Sequence, residues 1–166
     1  LTGGDLTLSG GLSVAPGKTA EIASSLVMTP TYPQFGGGGT LILSGDNSGY
    51  SGAISVQSGI LKAGSTTALG VGGVTVASGA TLDTNGQNFV DASRPNITIA
   101  GTGTTGQGAL ICNTGYSDIG ALTLTADAKI NVGGRLDTFG AISGAGFTLT
   151  KTGTGECMAI RGGVTD

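Results

Sequence analysis

Apolar positions along the chain come in pairs separated by one residue, followed after a short gap by Gly or Asp and then by another apolar position. Leu12, Val14 and Gly17, with a looser return to Ile22, follow this order. So do Ile54, Val56, Gly59 and Leu61; Val74, Val76, Gly79 and Leu82; and Leu122, Leu124, Asp127 and Ile130. A degenerate copy begins at Ile97 and Ile99 with Gly101. Starting positions 54, 74, 97 and 122 lie 20, 23 and 25 residues apart, the period of a solenoid coil rather than of a sandwich with irregular loops. Alternation such as Ile54 and Val56 against Ser55 and Gln57 turns one face of each strand inward and leaves the other wet. Gly59, Gly79 and Gly101 fall at the corners, where a residue without Cβ adopts a positive φ at no steric cost. The pattern predicts an all-β fold, a right-handed single-stranded parallel β-helix with about 20 to 25 residues per coil. About seven coils at ~4.8 Å each would form a rod on the order of 35 Å long.

Composition agrees with a thin core. Aromatic residues are 4% of the 166 and Trp is absent, so Val, Ile, Leu and Ala must fill the interior. Gly at 34 positions is high, but the recurring β-branched residues argue against disorder. Charged residues are 10% of the chain and the net charge is −3. Such a surface offers no basic stripe for nucleic acid or for an anionic membrane. No apolar run is long enough for a membrane-spanning helix, and "LTGGDLTLSG" at the start has no signal-peptide character. The missing initiator Met fits a processed segment whose targeting signal, if the parent is secreted, lay upstream. A single β-helical segment over 1–166 is expected, with irregular first coils over 1–38, an insert near 28–38, repeat-like coils over 39–157 and an open end at 158–166.

The stretch "GTLILSGDNSGYSGAISVQSGILKAGSTTALGVGGVTVASGATLDTNG", residues 39–86, resembles the passenger-associated transport repeat of bacterial autotransporter passenger domains. "NITIAGTGTTGQGALICNTG" and "ALTLTADAKINVGGRLDTFGAISGAGFTLTKTGTGE" are similar to the spacer coils between copies of that repeat. The resemblance covers residues 39 to about 157. It implies a parallel β-helix exported across the outer membrane and displayed outside the cell, with no catalytic residues. The membrane β-barrel of that family lies outside this segment, and "GECMAIRGGVTD" departs from the "GTLTLSG"-like start expected there.

Several residues invite chemical readings. Asp83, Asp91, Asp127 and Asp137 are the carboxylates a β-helical polysaccharide lyase or glycosidase would need to pair across coils. Contexts such as "LDTNG", "FVDAS" and "TADAK" favour turn-capping Asp instead. The chain has no His, which removes the commonest general base and metal ligand. "GDNSG" at 45–49 lacks the alternating acids and distal Glu of a calcium loop, so a turn at Asp46 and Asn47 is the better account. No catalytic, cofactor or metal site is expected, and "NIT" at 96–98 matches a glycosylation acceptor only formally. Cys112 and Cys157 are about two coils apart, which puts equivalent positions roughly 10 Å apart, too far for an unstrained disulfide. Cys112 reads as a small buried ladder residue and Cys157 as a position for a contact to another subunit.

The aromatic residues complete the picture. Tyr50 falls in the "GYSG" turn, where it packs over a corner, and Tyr116 stands with it as a weaker binding candidate. Tyr32 and Phe35, flanked by Pro30 and Pro33, sit in the stretch that breaks the coil pattern. Tyr32, Phe35 and Cys157 are therefore the residues expected at an interaction surface. Uncapped ends imply either further coils of a longer parent or head-to-tail contact with other copies, which generates a filament if it does not close. The sequence reads as a non-catalytic extracellular stalk or fibre element of a Gram-negative-type bacterium. It would pair with itself, with neighbouring coils or with surface glycans. The alternative is a carbohydrate-binding or carbohydrate-active β-helix.

Overall fold

A computed structural model gives the structure of the chain and describes residues 4–8, 10–28, 33–155 and 157–165. The first strands are β1 (Asp5–Leu8), β2 (Leu12–Ser13), β3 (Thr19–Ile22), β4 (Ser25–Met28), β5 (Gln34–Gly36) and β6 (Thr40–Leu43). There follow β7 (Ile54–Val56), β8 (Gly59–Ala63), β9 (Val74–Val76), β10 (Ala80–Asp83), β11 (Ile97–Gly101) and β12 (Leu110–Cys112). The last are β13 (Tyr116–Ile119), β14 (Leu122–Val132), β15 (Arg135–Thr138), β16 (Ile142–Ser143), β17 (Leu149–Thr152), β18 (Cys157–Ile160) and β19 (Val164–Thr165). Every pairing among them is parallel. The chain is a parallel β-solenoid of about seven turns.

Three walls follow from the pairing. The first runs β2, β5, β7, β9, β11, β14, β16, β19, and the second runs β3, β6, β8, β10, β12, β14, β17. β14 is long enough to turn the corner and serve both walls, which joins them into one 14-stranded sheet. Among the described residues the third wall is paired at the two ends only, as β1–β4 and as β13–β15–β18. Register partners on the first wall confirm the period read from the sequence. Ile54, Val74, Ile97, Leu122, Ile142 and Val164 are successive partners, and so are Leu12, Phe35, Val56, Val76 and Ile99. The coils are unequal, from 19 residues between Tyr116 and Arg135 to 28 between Leu82 and Leu110, with 20 between Val56 and Val76 and 25 between Ile97 and Leu122.

Inward positions of each strand stack into apolar ladders. On the second wall Leu41, Leu61, Leu82, Leu110 and Ile130 are in register and essentially without solvent contact. Each buries its side chain against the like residue above and below, so pleated Val, Ile and Leu fill a narrow interior without a large aromatic centre. Cys112 belongs to this wall, in register with Val132, and is buried and free. Of the stretch expected to be an insert, residues 33–38 are more regular than their Pro and Gly content implies. Gln34–Gly36 forms β5, a rung between β2 and β7.

One corner is closed by a buried amide. Asn47 is 2% exposed; its Oδ1 accepts the Leu26 N–H at 2.7 Å and its Nδ2 donates to the Ala68 carbonyl at 2.7 Å. A single side chain thus satisfies backbone groups in the coils before and after its own. Beside it Asp46 Oδ1 accepts the Ser48 N–H at 3.0 Å, the turn expected from "GDNSG". Asn47→Ala leaves one buried donor and one buried acceptor unpaired, and should lower the unfolding free energy by about 2 kcal/mol in urea titrations. Asp46→Ala, whose carboxylate is exposed, should cost under about 0.5 kcal/mol.

Candidate functional site: an arginine and carboxylate array on the third wall

The outward face of β13, β15 and β18 carries the densest chemistry among the described residues. Alternation sends Ser117, Ile119, Leu136 and Thr138 inward, so Tyr116, Asp118, Arg135 and Asp137 lie on the other side of their strands. Register then places Tyr116 beside Arg135 and Asp118 beside Asp137. Two carboxylates on adjacent rungs repel unless cations intervene. All three arginines of the chain converge on them.

Arg94, in the loop before β11, donates Nε and Nη2 to Asp118 Oδ2, both at 3.3 Å, and lies 3.6 Å from the exposed Asp91. Arg135 donates Nε to Asp137 Oδ1 at 2.9 Å and Nη2 to Oδ2 at 2.7 Å. Arg161, just after β18, donates Nη2 and Nε to the same Oδ2 at 2.6 and 3.1 Å. Aromatic rings hold the guanidiniums in place: Arg94 lies 3.8 Å and Arg161 5.1 Å from the Phe139 centroid, and Arg135 lies 5.0 Å from that of Tyr116. Asp137 has no solvent exposure and Asp118 only 3%. Oδ1 of Asp118 makes no bond of ordinary length among the described residues, nor does the inward Thr138 hydroxyl.

Electrostatics follow from this packing. Hydrogen bonds from Arg135, opposed by burial and reinforced by Arg161, hold Asp137 down to about 2. The Tyr116 hydroxyl stands between the two carboxylates, 3.5 Å from Asp137 Oδ2. Its interaction with Asp118, helped by burial, pushes the phenol up to about 12. A carboxylate with a lowered folded pKa contributes stability above its unfolded value of about 3.9 and loses it as the pH falls through the folded value. For Asp137 the window runs from about pH 4 to about pH 2, with on the order of 2 kcal/mol at stake. Urea midpoints of the native chain should fall across that window by more than those of Asp137→Asn.

The residues singled out from the sequence are placed as follows. Phe35 is 2% exposed and stacks between Leu12 and Val56, so it belongs to the core and not to a binding surface. Tyr32 lies outside the described residues. Cys157 opens β18 opposite Arg135. Tyr50 is buried at its corner and donates to the Ala53 carbonyl at 3.1 Å. Asp83 caps its own turn through the Asn85 N–H at 2.8 Å and meets Lys62 at 3.4 Å. Asp127 accepts the Thr148 N–H of the next coil at 2.8 Å. Asp137 departs from the turn-capping role: it is a buried strand carboxylate between two arginines. The low charge content gave no sign that three arginines and two buried acids would share one face.

Asp118, Arg94 and Phe139 escaped the sequence reading. Their trace is the partial likeness of "YSDIGA" and "RLDTFGA", each with Asp two residues after Tyr or Arg and a Gly-Ala corner following. A separate open cleft of about 310 Å³ lies at the bend of β14, lined by Thr102, Asp127, Lys129, Thr148 and Thr150. Its charged groups are engaged with backbone: Asp127 as above, and Lys129 Nζ on the Gly106 carbonyl at 2.7 Å. No helix among the described residues is long and apolar enough to cross a membrane. Comparison with known proteins finds no matching family, curated protein or solved structure.

Proposed function

We propose that the chain is a non-catalytic structural module, a β-solenoid stalk or fibre element displayed outside a Gram-negative-type bacterium. Its coils continue end to end into further coils or other copies and support adhesion. The observation that carries this reading is the parallel register running from β2 to β19. The outer strands at either end have a hydrogen-bonded neighbour on one side only among the described residues. Such edges are templates for another parallel rung. The resemblance of residues 39–86 to the passenger-associated repeat supports the extracellular setting. The carboxylates support a non-catalytic role: Asp137 stays ionised far below neutral pH, so it has no proton to give a leaving group, and it is fully buried.

Electron microscopy and fibre diffraction at near-physiological salt test this. Rods or filaments with a ~4.8 Å axial repeat are expected. Continuous filaments would identify the ends as the working interface, and short separate rods would identify a stretch of a longer stalk. Particles without that spacing, or cleavage of a polysaccharide by the chain, would sink the reading.

A further inference from the structure

The bend of β14 gathers a different chemistry. Between the partners Ile99–Leu124 and Gly101–Ala128 the chain takes four steps on β14 against two on β11, and the excess bends the strand toward the second wall. The cleft of about 310 Å³ at this bend is lined from three successive coils: by Thr102, by Asp127, Ala128 and Lys129, and by Thr148 and Thr150. At ~4.8 Å per coil these span roughly 10 Å, room for one sugar ring rather than for a polymer. Alternation buries Ala128 and turns Asp127 and Lys129, on either side of it, outward. Both charged groups are held in place and keep bonding capacity. Asp127 Oδ1 accepts the Thr148 N–H at 2.8 Å, which keeps Oδ2 for another donor. Lys129 Nζ gives one N–H to the Gly106 carbonyl at 2.7 Å and has two more. The exposed Thr102, Thr148 and Thr150 each add a hydroxyl that donates and accepts.

We propose that the β14 cleft binds a neutral hexopyranose unit of a glycan, with Asp127 accepting from one ring hydroxyl and Lys129 donating to its neighbour. This deepens the adhesive reading and rests on it for its setting. The charges of the lining select the ligand. Asp127 and Lys129 cancel, so an anion drawn by one is repelled by the other, and a cation likewise. The ligand must instead bring donors and acceptors side by side, which is what adjacent hydroxyls on a pyranose ring do. Each would meet a charged partner, the stronger kind of hydrogen bond. The buried Ala128 offers an apolar floor for the C–H face of the ring. No aromatic ring lines the cleft, so a single sugar should bind with a Kd of about 1–10 mM.

The test is an NMR titration of the whole isotope-labelled chain with the methyl glycosides of glucose, galactose and mannose, each beside its permethylated form. At least one free glycoside should shift the amide signals of Lys129, Thr148 and Thr150 saturably, and at least about ten-fold more tightly than its permethylated form, which has no hydroxyl to donate. Asp127→Asn keeps an acceptor for the Thr148 N–H but loses the charge, and should weaken binding about ten-fold. Thr75→Val, an exposed threonine on the first wall, should change it less than about two-fold. The permethylated comparison uses the unaltered chain and decides the matter even if D127N does not fold. Shifts with none of the glycosides, equal binding of free and permethylated forms, or equal losses in the two variants would overturn the hexose site and leave the stalk reading standing. Release of methanol from a bound glycoside would overturn the non-catalytic reading and leave the hexose site standing.

Discussion

Replacing Arg135 and Arg161 together by Gln should destabilise the chain by about 3–5 kcal/mol, the range for a buried charge stripped of its partners. Asp137 would keep no cation, would remain shut off from water and would still lie beside Asp118 in register. Either single replacement should cost about 1–2 kcal/mol, because the remaining arginine keeps two hydrogen bonds on the carboxylate. The effects are thus more than additive, as for residues that share one partner. Adding Asp137→Asn to the double variant removes the stranded charge and should restore part of the loss. Urea unfolding of the four variants beside the native chain decides it, and simple additivity would refute the shared-carboxylate account.

Gly72→Ala should cost about 3 kcal/mol, the upper range for forcing atoms into a packed interior. A Cβ at Gly72 would coincide with the carbonyl oxygens of Gly52 and Ser51 in the preceding coil, and those are backbone atoms that cannot swing away. Two nearby glycines separate the causes. Gly49 has open space around it and an ordinary φ, so Gly49→Ala should change stability by less than about 0.5 kcal/mol. Gly79 has open space but a φ of +83°, so Gly79→Ala should lose about 1–2 kcal/mol from backbone strain alone. Equal losses at all three would mean that close approach of the coils is not what Gly72 serves.

The walls were legible in the sequence because their residues alternate. Ile54, Val74, Ile97 and Leu122, read as coil starts from spacing, are register partners on the first wall. β5 was not, since Phe35 is its sole large apolar residue and the glycines after it look like a loop. The third wall was hidden for a different reason: its inward positions include Ser117 and Thr138 and its outward ones Asp118 and Asp137, so polarity does not alternate. The array is spread from position 94 to position 161 in a chain with few charges. Only the stacking of unequal coils brings Arg94 to Asp118 and Arg161 to Asp137, and no local spacing encodes that.

The unequal coil lengths also bear on how the chain reaches its native alignment. Nearly all of its rungs are alike in chemistry, so a growing solenoid faces a competing state in which the chain has slipped by one whole coil. With uniform coils such a slip would lose contacts at the ends alone. Here coils of 20, 23 and 25 residues follow one another over Ile54, Val74, Ile97 and Leu122. A one-coil shift would therefore move corner glycines into strands and carry Asn47 away from the Leu26 and Ala68 backbone groups it joins. Irregular length acts as a vernier: each coil fits only its own neighbour, and a misthreaded chain is rejected at the first corner it reaches.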